Sequence, residues 1–247
     1  MNKLTEFLKE EQQAKRKGGL YHKTQVQLAY NSNRIEGSKL TEEQTRYIFE
    51  TRTIGFKDQE AVPVDDIIET SNHFIAFDDV LRTIDEPLTE DLIKGFHRTL
   101  KTGTADAQLS YFNVGDYKKL ANEVGGRETC MPAAVAMEMK SLQEWYYAQK
   151  NVTIHTLAEY HWRFESIHPF QDGNGRVGRL ILFRECLRNN VMPFVIDNEH
   201  KMYYYRGLSD FKQTPGFLVG TMQSAQDVYE AWIRYFNEEL LEGLKIE

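Results

Sequence analysis

The twelve residues His168-Pro169-Phe170-Gln171-Asp172-Gly173-Asn174-Gly175-Arg176-Val177-Gly178-Arg179 constrain this chain more than any other part of its sequence. Residues 157–167, just before them, have the apolar spacing of a helix, and residues 180–187, just after, begin a second. The run therefore reads as a loop pinned between two helices. Glycine and asparagine accept backbone angles closed to most residues, so the N–H groups of Gly173, Asn174 and Gly175 can converge into an anion-binding nest at a helix start, with Asn174 and Gly175 taking the unusual angles. Asp172 at its lip is a hard oxygen ligand suited to Mg²⁺. Arg176 and Arg179, three apart, can aim two planar guanidinium groups at one anion. His168 is the one group of the loop that accepts a proton near neutral pH. Pro169 restrains His168 to an extended backbone, and Phe170 offers an apolar anchor for the loop.

The pattern His-Pro-Phe-x-Asp-Gly-Asn-Gly-Arg-x-x-Arg resembles the signature of Fic domains, and residues 168–179 meet every fixed position. The resemblance implies an all-α fold: a single Fic-type helical domain with a short β-hairpin flap and an N-terminal inhibitory helix. It also implies transfer of AMP from ATP to a Ser, Thr or Tyr hydroxyl of a target protein. Carried over position by position, His168 is the general base and Asp172 the ligand of Mg²⁺, with Mn²⁺ as the alternative. Gly173, Asn174, Gly175, Arg176, Val177, Gly178 and Arg179 form the nucleotide-binding loop, with the two arginines on the outer phosphates.

Upstream, Ser32-Asn33-Arg34-Ile35-Glu36-Gly37 places Ser32 and Glu36 on one helical face, with Gly37 as terminator. A carboxylate in the last turn opposes the helix dipole unless a cation meets it. The segment resembles the inhibitory motif of the Fic family. By that resemblance Glu36 pairs with Arg176, where the γ-phosphate of ATP would be held. In some members the corresponding Glu also assists removal of AMP, so Glu36 is a candidate for both roles.

Residues 121–132 contain Gly125-Gly126 between two short extended segments, a tight hairpin in which both glycines take positive φ. This resembles the Fic flap, which would dock an extended target segment, with Asn122, Glu123 and Val124 over the nucleotide. Tyr204, Tyr205 and Leu208 match a family pattern that sets tyrosine beside the adenine, although Lys212 stands where many members have Asn.

Elsewhere helices are expected almost throughout. Thr41 and Gln44 form a capping box, helices open at Val64 and at Thr89, another runs from Ala133 to about Gln149, and residues 219–244 form the last. Strands are confined to the hairpin, and residues 101–120 are the longest irregular stretch. The 247 residues suffice for one core, divided here into an N-terminal helical region (1–60) and a catalytic region (61–247). A net charge of −7 argues against nucleic-acid binding. There is no apolar run of membrane-spanning length or signal-peptide core, and two cysteines are too few for a disulfide framework; a cytoplasmic location is expected. Expected partners are ATP and a protein target, with homo-oligomerisation and self-modification open. The alternatives are removal of AMP, transfer of UMP or phosphocholine, or an adaptor silenced by Glu36.

Overall fold

The computed structural model describes residues 2–55 and 61–245; the division placed at residue 60 lies outside the described residues. The helices are α1 (Lys3–Gln13), α2 (Leu20–Ile35), α3 (Glu42–Thr51), α4 (Val64–Arg82), α5 (Glu90–Lys101), α6 (Pro132–Tyr147), α7 (Ile154–Ile167), α8 (Asn174–Arg188), α9 (Lys201–Ser209) and α10 (Gly216–Asn237). Strands β1 (Glu123–Val124) and β2 (Arg127–Glu128) pair antiparallel in the register Glu123↔Glu128 and Val124↔Arg127. The turn between them holds Gly125 at φ 57° and Gly126 at φ 75°, the two positive angles a tight hairpin turn demands. The fold is thus all-α with one small hairpin, as the sequence reading expects.

Capping explains several boundaries. Thr41 accepts from the Gln44 N–H while Gln44 Oε1 accepts from the Thr41 N–H, and Thr89 accepts from the Leu92 N–H. The last helix is shorter than its sequence pattern. It stops at Asn237, whose extended backbone (φ −169°) and side chain, accepting from the Glu239 N–H, turn the chain into a short 3₁₀ segment. An isolated parallel bridge between Val191 and Lys245 follows.

Helix α8 lies at the centre. Its residues 174–187 are all buried, which accounts for its weak amphipathicity: a helix surrounded by protein has no solvent face to distinguish. It packs against α7, α5, α4 and α2. One core extends from Leu4 and Leu8 through Phe77, Phe96, Phe164 and Phe183 to Ile233 and Leu240, so the N-terminal helices share it with the rest. No helix among the described residues is long and apolar enough to cross a membrane.

Candidate active site

The loop between α7 and α8 is held from below by α5. The Phe170 ring is fully buried and stacks flat on His97, with centroids 4.0 Å apart and planes 2° apart. His97 Nδ1 accepts from the Gly115 N–H (2.9 Å), which puts its proton on Nε2, facing the Asp172 carbonyl at 3.2 Å. Burial, aided by nearby Lys101, pushes His97 down to about 3, so it stays a neutral bracket. Asn174 clamps the loop from inside: its amide oxygen accepts from the Phe170 N–H (2.8 Å) and its NH₂ donates to the Phe170 carbonyl (2.9 Å).

Two backbone expectations are corrected. The positive φ of the nest falls on Gly173 (82°), whereas Asn174 and Gly175 are already helical. A left-handed residue is needed only at the corner where the loop turns into α8. His168 is not extended but left-handed, at φ 51° and ψ 63°. It is the C-cap of α7, its N–H still bonded to the Phe164 carbonyl (2.9 Å), and this reversal outweighs the preference imposed by Pro169. Helix α8 starts without a side-chain cap, leaving its first N–H groups available to an anion.

The charges are arranged in two clusters. In the first, Asp172 Oδ2 accepts from Lys101 Nζ (2.7 Å) and from Arg176 (2.8 Å). Glu69 of α4 bonds both cations, Lys101 at 2.6 Å and Arg176 through its other oxygen. Burial works to raise the Asp172 carboxyl, but Arg176 and Lys101 outweigh it and hold it well below the usual carboxylate range. In the second, Arg179 donates to Ser32 Oγ (2.9 Å), the Ser32 carbonyl (2.9 Å) and Glu36 Oε1 (2.6 Å), with the Tyr204 hydroxyl at 3.5 Å. The expected partner of Glu36 is therefore corrected: its ion pair is with Arg179, not Arg176. The end of α2 brings Ser32 and Glu36 to Arg179 together, while Arg176, one turn earlier on α8, is already engaged by Glu69 and Asp172. Gly175 makes the approach possible, since an added Cβ there would collide with Glu36 Oε1. Gly37, at φ 100°, ends the helix beside it.

His168 lies on the rim, buried enough to be pushed down to about 4, chiefly by desolvation and then by Lys118. Its Nδ1 is 3.8 Å from Glu165 Oε2, beyond hydrogen-bond reach. Glu165 itself is pushed up to about 8 by burial first and by Glu36 second. Val177 is fully buried in the core, and an added Cβ at Gly178 would meet Glu165 Oε1 and His161 Cε1 at 2.7 Å, so these two residues serve packing against α7. Tyr204 is also buried, its hydroxyl 2.6 Å from His161 Nε2. Tyr205 is partly exposed and donates to the Ile35 carbonyl (2.9 Å) at the end of α2. On the flap, Glu123 and Val124 are exposed, whereas Asn122 reaches inward and donates to the Phe170 carbonyl (3.1 Å). Lys212 places its ammonium over the Trp162 ring, 5.7 Å from the centroid.

Asp172 fits a Mg²⁺ that keeps most of its waters and bridges to phosphates, because its side chain is half-exposed and ionised. Among the described residues no group of three or more His, Cys, Asp or Glu is placed to hold a metal, so an all-protein cage is not built here. Sequence reading missed Glu69, His97, Lys101, Lys118 and Glu165. Only Glu165, three residues before His168, carried a local signal, its place on the helix face that leads to that histidine.

The Fic/DOC family model matches residues 87–185. The protein named protein adenylyltransferase Fic of Drosophila grimshawi is 27% identical over 215 residues, covering 81% of this chain and 42% of that protein. Its namesake in Culex quinquefasciatus is 26% identical over 221 residues, covering 83% and 41%. The chain spans about two fifths of the length of the curated relatives it matches. Among solved structures, a Fic domain containing signaling protein of Bacteroides thetaiotaomicron superposes with a TM-score of 0.72 at 22% identity, over 99% of this chain and 98% of that one. Fic-1 of C. elegans superposes with a TM-score of 0.67 at 21% identity, over 87% and 64%. Residues 87–185, with the loop between α7 and α8 inside them, are a Fic/DOC domain.

Proposed function

We propose that this chain transfers the AMP group of ATP to a hydroxyl of a protein side chain, and that Glu36 restrains it by occupying Arg179. The carrying observation is the start of α8, where an uncapped helix N-terminus, the Gly173 corner and two buried guanidinium groups converge beside a neutral imidazole. In this reading the target hydroxyl oxygen bonds to the α-phosphorus and its proton passes to His168. The bond from that phosphorus to the bridging oxygen breaks, and pyrophosphate leaves with the electron pair. An imidazole with a pKa of about 4 is neutral at physiological pH, and it takes the proton as bond formation makes the hydroxyl acidic. Asp172 would hold the Mg²⁺ or Mn²⁺, whose chemistry is to neutralise phosphate charge. Arg176 and Arg179 hold the outer phosphates, Arg179 only when Glu36 yields. The flap would register the target as an added strand.

The test is incubation of wild type, Glu36→Gly and His168→Ala with α-labelled ATP, Mg²⁺ and lysate protein. Label should be strongest with Glu36→Gly, weaker with wild type and absent with His168→Ala. No label from either of the first two, together with no ATP-specific thermal stabilisation, would defeat the proposal. Label on the chain itself would add self-modification.

A further inference from the structure

Lys118 lies in the irregular stretch between α5 and the flap and is only 3% exposed. Its ammonium donates to Asn122 Oδ1 (2.7 Å), Thr129 Oγ1 (2.6 Å) and the Ile167 carbonyl (3.4 Å). Its backbone N–H donates to the Pro169 carbonyl (2.9 Å). Asn122 and Thr129 flank the two strands at the base of the hairpin, and Ile167 and Pro169 bracket His168. One buried residue thus joins the flap to both sides of His168, its side chain reaching the residue before and its backbone N–H the residue after.

Every acceptor of this ammonium is neutral, and Lys118 forms no ion pair among the described residues. Buried cations ordinarily sit against carboxylates, as Lys101, Arg176 and Arg179 do here. We propose that Lys118 is a positioning residue for His168: a buried cation that ties the flap to the histidine loop and presents an uncompensated positive charge to the imidazole. This rests on the reading of His168 as proton acceptor. A neutral ring is required of such an acceptor, and a neighbouring cation disfavours the imidazolium. Burial pushes the Lys118 amine down to about 8, so the charge is largely present at neutral pH. The other charged groups facing His168, namely Glu36 and Asp172 through space and Glu165 at 3.8 Å, would favour protonation when ionised and so oppose Lys118.

The experiment follows the His168 ring resonances through a pH titration in wild type and in Lys118→Gln, Lys118→Met and Lys118→Arg, with His168→Ala identifying the signal. The midpoint should rise by about one pH unit in the two neutral variants, the order expected on removing a nearby unit charge at an effective dielectric constant of about 20, and stay at the wild-type value in Lys118→Arg. Because Glu165 also titrates near pH 8, the second check is made in Glu165→Gln: a smaller inflection of the same resonances near pH 8 as Lys118 loses its proton, abolished when Lys118→Met is added. An unchanged midpoint in the neutral variants, an equal rise in Lys118→Arg, or no second inflection would each overturn the proposal and leave Lys118 a brace for the hairpin. The resonances report on the ring whether or not any transfer occurs. Absence of AMP transfer would therefore defeat the adenylylation reading while leaving this result standing.

Discussion

Arg176 and Arg179 are one turn apart on the same helix, equally buried, and each faces a carboxylate, yet their surroundings differ in kind. The partner of Arg176 is Glu69, in the second turn of α4, which also binds Lys101 and through it Asp172 and, at 3.4 Å, Asp106, so that five charges share one network. The partner of Arg179 is Glu36, the C-cap of α2, which is 32% exposed and pairs with no second cation among the described residues. Beyond it the chain turns away at Gly37, and Tyr205 donates one hydroxyl hydrogen bond to the last helical carbonyl, that of Ile35. One guanidinium is thus neutralised within a shared network, and the other by a single, partly exposed carboxylate at the end of a helix. A phosphate arriving at α8 would compete with Glu36 far more easily than with Glu69.

The largest expected effect tests the scaffold side. Glu69→Ala strips a counter-charge from two buried cations and should cost about 3–5 kcal/mol in urea denaturation, with transfer activity lost as well. Stability near wild type would show that Arg176 is not structurally committed. Next comes Glu165, a buried carboxyl with no ion pair to either guanidinium. Its pKa rises from 4.5 to about 8 on folding, so the folded chain holds a proton that the unfolded chain releases. Its stabilising contribution is full below pH 4.5 and is lost as pH climbs toward 8. Stability measured from pH 5 to 8 should therefore fall less steeply in Glu165→Gln, by up to about 1.4 kcal/mol per pH unit; coincident slopes would show that Glu165 is ionised like its neighbours.

On the displaceable side, Glu36→Gly should raise AMP transfer at least tenfold, equivalent to about 1.4 kcal/mol, while costing only about 1–2 kcal/mol of stability, because Ser32 still holds Arg179. If denaturation showed it to be as damaging as Glu69→Ala, the contrast between the two arginines would collapse. The smallest effect belongs to Tyr205→Phe, which removes the one hydroxyl bond to Ile35 and should loosen Glu36 enough to raise transfer by about two- to threefold, for a bond worth about 1 kcal/mol or less. An unchanged rate there would mean that the Tyr205 hydroxyl does not restrain the end of α2.

Much of this was legible along the chain. The Thr41 and Thr89 caps, the Gly125-Gly126 turn and the helices on either side of the loop are local patterns, in which a side chain a few residues away satisfies a backbone group or an apolar stripe repeats with the helical period. The composition of residues 168–179 likewise carries the reading of an anion site with a base beside it. Less legible was the backbone within the loop, because the left-handed corner could fall on any residue tolerant of it, and packing chose Gly173 and His168.

By itself, then, the sequence determined the all-α class, the hairpin, the loop and the identity of its chemical groups, since each depends on neighbours within about a turn. Tertiary structure alone decided how those groups are used. It assigned Glu36 to Arg179 across 143 residues, Lys101 to Asp172 across 71, and the base of the flap to His168 through Lys118. Helical spacing tells which side chains share a face, but not which of two guanidinium groups one turn apart receives a carboxylate from another helix. That depends on where α2, α4 and α5 come to rest against α8, which is set by packing of the whole core.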